Sequence, residues 1–175
     1  GWRTPNYVYR PAGAANVKLL LKNYRLSDDL AFRFSDPGWD EYPLTPRRYA
    51  EMIREAAGTG DLVNLFMDYE TFGEHHPAES GILEFLHGMP DAVLALPDSC
   101  FQTPSECAAA LQPMADISVP FPISWADVER DLTAWIGNPM QDSALEDLYA
   151  LRQPILDADD KDLLLSWRRL QTSDH

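Results

Sequence analysis

Apolar positions change their spacing along this chain, and the changes predict its elements. Tyr49, Met52, Ile53 and Ala56 recur at steps of three and four, which puts them on one helix face. Thr45 just ahead is a suitable N-cap, Pro46 suits the first helical position, and Gly58 suits the stop. Val17 to Leu21 is a short apolar run that reads as a buried strand. Asp61 to Asp68 is nearly continuous in apolar residues, which predicts a strand buried on both faces and ending in a carboxylate. Helix followed by buried strand is the order of an α/β barrel, whose active-site face is built at the C-terminal ends of its strands. Thr103-Pro104-Ser105-Glu106 has the form of a capping box and predicts a short helix through Leu111.

Pro113 to Pro122 is a proline-punctuated connector, and the pattern after it is helical throughout. Ser124-Trp125-Ala126-Asp127 is expected to open a helix with apolar positions at Val128, Leu132, Trp135 and Ile136, stopped by Gly137. Asn138-Pro139 opens the next, carrying Leu145, Leu148, Tyr149 and Leu151. Asp159-Asp160 opens a third, with acidic residues suited to the dipole of its first turn. A boundary near residue 120 therefore divides an α/β part, 1–120, from a helical part, 121–175. There is no internal repeat and no low-complexity segment.

The 175 residues correspond to one domain or one and a fraction, and 45% of them are apolar, enough for a core. Fourteen Lys and Arg stand against 28 Asp and Glu, a formal charge of −14. Nucleic acid and anionic membranes, which need clustered cations, are poor partners for such a chain. A neutral polymer such as a sugar tolerates it, although plain solubility explains the charge equally well. No apolar run reaches membrane-spanning length, and no signal-peptide pattern is visible. Cys100 and Cys107 make neither a disulfide framework nor a C-x-x-C motif, which favours a reduced, cytoplasmic setting. The chain opens on Gly1-Trp2-Arg3 without Met and stops just after the helical-looking Leu163–Leu170. Both features predict a piece cut from a longer protein.

Candidate chemistry concentrates in Phe66-Met67-Asp68-Tyr69-Glu70-Thr71-Phe72-Gly73-Glu74-His75-His76. Asp68 closes the expected strand, Glu70 points the same way if the strand continues, and Thr71-Phe72-Gly73 turns the chain across the rim. Glycosidic cleavage needs such a grouping: one carboxylic acid protonates the leaving oxygen while a second attacks the anomeric carbon. The acid must hold its proton near neutral pH, through burial or a neighbouring carboxylate, as Asp68 with Glu70 would. A solvated loop capping the strand would look the same in sequence. A metal site on Asp68, His75 and His76 is a rival reading, weakened because adjacent side chains of an extended segment point oppositely.

These residues resemble the α-amylase-like branch of glycoside hydrolase family 57. The resemblance rests on Gly1-Trp2-Arg3-Thr4-Pro5-Asn6-Tyr7-Val8-Tyr9, Leu20–Asp29, Met67-Asp68-Tyr69-Glu70-Thr71-Phe72-Gly73-Glu74-His75, Ile123–Trp135 and Leu170–His175, and so covers essentially the whole chain. It implies part of an incomplete (β/α)7 barrel followed by an all-helical region. It also implies a retaining hydrolase of α-1,4-glucans that uses no metal and no cofactor. By the same resemblance Asp68 is the general acid/base, and Glu70, Asp131, Trp135 and Trp125 bind substrate. The family's nucleophilic glutamate belongs to a motif just upstream of the segment that Gly1-Trp2 begins. Neither Glu41 nor Glu74 lies in that motif, so the isolated chain is expected to be inactive.

Three other functions stay open: a non-catalytic α-glucan-binding protein on the same scaffold, a 4-α-glucanotransferase, and a metal-dependent polysaccharide deacetylase. Trp39, Trp125, Trp135 and Trp167 could each stack on sugar or pack in a core. The apolar stripe with Leu163 and Leu164 favours the core for Trp167. Asp28 and Asp29, after Ser27, are expected to be first-turn acids of a helix.

Overall fold

The computed structural model describes residues 3–124, 126 and 128–172. They form two compact units divided between Ser118 and Val119. The first is mixed α/β. Strand β1 (Val8–Pro11) is central in a three-stranded sheet of order β2-β1-β3. It runs antiparallel to β2 (Leu19–Leu20), with Val8 opposite Leu20, and parallel to β3 (Ala115–Ile117), with Tyr9 opposite Ala115. The predicted strand at Val17–Leu21 shrinks to a two-residue pairing, and Val17 is exposed. β3 lies inside the stretch predicted as a plain connector.

Helix α1 (Tyr24–Asp28) is capped by Asn23, whose side chain accepts from the Leu26 amide at 3.2 Å. It runs directly into a π-helical turn, Asp29–Arg33. Asp28 therefore ends a helix instead of starting one, and Asp29 is buried and ion-paired with Arg33. Helix α2 spans Pro46–Ala57 with Thr45 capping and Gly58 at φ 55°, as the sequence predicts. Helix α3 spans Ile82–Leu94 and packs on α2. Gly88 of α3 makes the close approach possible, since a Cβ there would stand 3.1 Å from the Pro46 ring. Helix α4 (Pro104–Ala110) carries the predicted capping box, Thr103 with Glu106.

The core of this unit gathers Leu26, Leu30, Phe34, Leu44, Tyr49, Met52, Ile82 and Phe85, with Trp39 packed partly buried against it. Phe34, Phe85 and Tyr49 meet edge to face at 5.1 and 5.6 Å, the arrangement the ring quadrupoles favour. The Tyr49 hydroxyl donates to the Leu26 carbonyl at 2.8 Å, and burial, then the Asp29 charge, push its pKa up.

Residues 61–68 are not a strand buried on both faces. They run extended, with one parallel bridge, Lys22 to Asn64. Val63, Leu65 and Met67 pack on the core, whereas Phe66 and Asp68 are exposed. The segment is held by its neighbours: Asp61 and Leu62 amides donate to the Asn6 carbonyl, the Asn23 amide to the Asn64 carbonyl, and the Phe66 amide to Ser27 Oγ.

The second unit holds α5 (Pro139–Ala150), α6 (Arg152–Ala158) and α7 (Lys161–Arg169). Asn138 and Asp160 cap α5 and α7 through their side-chain oxygens. Trp167 is buried, as its stripe predicts, and its indole donates to the Leu148 carbonyl at 2.8 Å. The helix expected from Ser124 to Gly137 does not form; its described residues are turns and bends. Local bonds win there. Ser124 Oγ donates to the Asp131 carbonyl, Asp131 Oδ1 accepts from the Thr133 amide at 2.9 Å, and Arg130 sits at φ 55°. Short polar side chains that bind nearby backbone compete with helix in this way.

Candidate functional site

Asp68 stands at the tip of the extended 61–68 segment and immediately precedes a 3-10 turn, Tyr69–Thr71. Backbone bonds stitch this turn to residues 72–76. Thr71 and Phe72 amides donate to the carbonyls of Asp68 and Tyr69, Glu74 and His75 amides both donate to the Glu70 carbonyl, and Gly73, at φ 116°, donates to the His76 carbonyl. Thr71 and His76 are buried, while Asp68, Tyr69 and Glu70 are exposed. The loop is thus anchored from below and displays its carboxylates outward. Of the two means expected to keep a proton on Asp68, burial or a neighbouring carboxylate, burial is absent.

His76 is the anchor. Its Nδ1 lies 2.7 Å from Ser35 Oγ and its Nε2 lies 3.1 Å from the Ala31 carbonyl oxygen. A carbonyl can only accept, so Nε2 carries the proton. With both nitrogens engaged and the ring edge-on to Phe34, His76 is a core residue and not a metal ligand. No group of three or more His, Cys, Asp and Glu able to hold a metal occurs among the described residues.

Beside Asp68 is an open groove of about 290 Å³. Leu30, Leu65, Met67, Phe72 and Met89 give it an apolar floor, and Phe66, Asp68 and Tyr69 also line it. A larger cleft of about 480 Å³ lies between α2, α3 and residues 96–102, and includes Cys100 and Cys107. Its carboxylates are Asp61 and Asp98, so the larger cleft is not where the motif residues stand.

Among the described residues, the other sequence-predicted positions do not line the groove. Glu70 shares the turn with Asp68. Asp131 and Trp135 belong to the second unit, and Trp125 lies outside the described residues. Asp131 is engaged locally: bonds from the Thr133 amide, then the Thr133 hydroxyl, hold its pKa below the usual carboxylate value. Trp135 is half-buried. Glu41 places both oxygens on the Arg48 guanidinium, at 2.7 and 2.8 Å, which lowers its pKa and ties the carboxylate to a structural pair. Sequence reasoning passed over Phe66 and Tyr69. The available signal was that both are large aromatics flanking the candidate acid.

Residues 1–120 match the glycosyl hydrolase family 57. This chain belongs to that family. A curated protein of Methanocaldococcus jannaschii, named "Putative alpha-amylase", is 43% identical over 186 aligned residues. The alignment covers all of this chain and 39% of that protein, so the chain spans well under half the length of this relative. No solved structure matches.

Proposed function

We propose that this family 57 chain is part of a retaining hydrolase of α-1,4-glucans in which Asp68 is the general acid/base. The observation that carries the proposal is the position of Asp68: the motif carboxylate ends an extended segment, is exposed, and lines an apolar groove. The α-amylase name of the relative supports the substrate class. Asp68 protonates the glycosidic oxygen as the bond breaks, then takes a proton from water as the glycosyl intermediate is released. The nucleophile is a glutamate outside residues 1–175.

In the same reading the first unit is the C-terminal part of the family's incomplete (β/α)7 barrel, and the second begins the helical region after it. Glu70, Asp131, Trp125 and Trp135 touch the glucan, on the strength of the motif match alone. Cys100 and Cys107 are both free, which suits a reducing, cytoplasmic protein. Among the described residues no helix is long and apolar enough to cross a membrane.

The test is reducing-sugar release from soluble starch by the full-length parent, wild type beside Asp68→Asn. A loss of ~100-fold or more, the low end for general acid/base catalysis, is expected. A folded wild type that binds starch and cleaves nothing would replace the hydrolase with a glucan-binding protein.

A further inference from the structure

The groove beside Asp68 carries two aromatic side chains that the core of this unit does not use. Phe66 is 72% exposed and Tyr69 is 95% exposed, and the two flank Asp68 in sequence and line the same groove. Their backbone is held in place: the Phe66 amide donates to Ser27 Oγ at 3.1 Å, and the Tyr69 carbonyl accepts from the Phe72 amide at 3.0 Å. The tethered backbone fixes where the rings are presented, and an aromatic side chain has only two χ angles to immobilise when a ligand lies on it.

The chemistry of the lining narrows the ligand. The groove has no cation and one carboxylate, and the chain as a whole carries −14. A phosphorylated or uronic sugar would meet only negative charge there. A neutral pyranose presents an apolar C–H face to an aromatic ring and hydroxyls at its rim, where Asp68 can accept from them. At about 290 Å³ the groove is near the lower limit for small-ligand sites, ~300 Å³, which suits a ring or two and not a folded polymer.

We propose that Phe66 and Tyr69 form an aromatic platform that stacks a neutral glucosyl unit next to the glycosidic bond whose oxygen Asp68 protonates. The proposal rests on the hydrolase reading for the identity of the sugar, but its test is separate. Maltoheptaose affinity is measured by calorimetry on the full-length parent carrying Asp68→Asn, which halts turnover, with Tyr69→Ala, Phe66→Ala and Tyr69→Phe added singly. Each alanine variant is expected to weaken binding about tenfold or more, in the range for loss of an aromatic anchor. Tyr69→Phe keeps the stacking face and is expected to bind within about twofold of the parent by the same reasoning. Melting temperatures are expected to stay unchanged.

Unaltered affinity in both alanine variants overturns the platform. So does a fall in melting temperature, with or without weaker binding, because it assigns the rings to packing against another part of the protein. If Asp68→Asn cleaves starch as well as wild type while Tyr69→Ala still loses affinity, the acid/base assignment fails and the platform stands.

Discussion

Replacing His76 by alanine tests whether the loop that displays Asp68 is anchored from beneath. The ring is 5% exposed, makes hydrogen bonds at 2.7 and 3.1 Å, and meets Phe34 edge-on with centroids 5.8 Å apart. Two net hydrogen bonds contribute ~1 kcal/mol each, and the aromatic contact adds ~0.5–1.5 kcal/mol. The space left by the ring costs ~1 kcal/mol more, giving a destabilisation of about 3.5–4.5 kcal/mol. His75, its exposed neighbour, is the control, and His75→Ala is expected to change stability by less than ~0.5 kcal/mol. The assay is equilibrium unfolding in urea of wild type and both variants, comparing midpoints at equal slope. Equal costs for the two substitutions, or a His76→Ala cost below ~1 kcal/mol, would refute the anchoring argument, because the two residues share chemistry and differ only in placement.

Local geometry sets two further outcomes. Gly60→Ala would put a Cβ 2.6 Å from both the Cβ and the carbonyl oxygen of Asn6, so Asn6 must move and release the amides of Asp61 and Leu62; urea unfolding is expected to show a loss of ~1–3 kcal/mol, and a neutral result would mean the 61–68 segment is not pinned at Asn6. The Thr103 amide, then its hydroxyl, hold the Glu106 pKa below 4.5, so the folded state gains stability above that pH and loses it as pH falls through the lower folded value. The stability difference between wild type and Glu106→Gln is therefore expected to be constant near neutrality and to shrink on acidification below 4.5; a difference that ignores pH would remove the charge from the capping box.

Sequence alone determined the features that depend on a few adjacent residues. Thr45, Thr103 and Asn138 cap their helices as the sequence predicts, because a cap is one side chain bonded to an amide two or three residues on. The apolar stripe placed Trp167 in a core for the same reason of local period. Membership of family 57 was legible in motifs such as Met67–His75, which lies within the matched residues 1–120. The tertiary structure decided what depends on distant partners. An apolar run cannot say whether a neighbour supplies a ladder, so residues 61–68 became an extended segment tethered by Asn6, Asn23 and Ser27. A helical period cannot say whether Ser124, Arg130 and Asp131 will close turns first, and here they do. Two adjacent histidines look alike in sequence. Only the packing of Phe34, Ala31 and Ser35 around one of them made His76 a buried anchor, left His75 in solvent, and turned Asp68 with its two flanking aromatics outward to the groove.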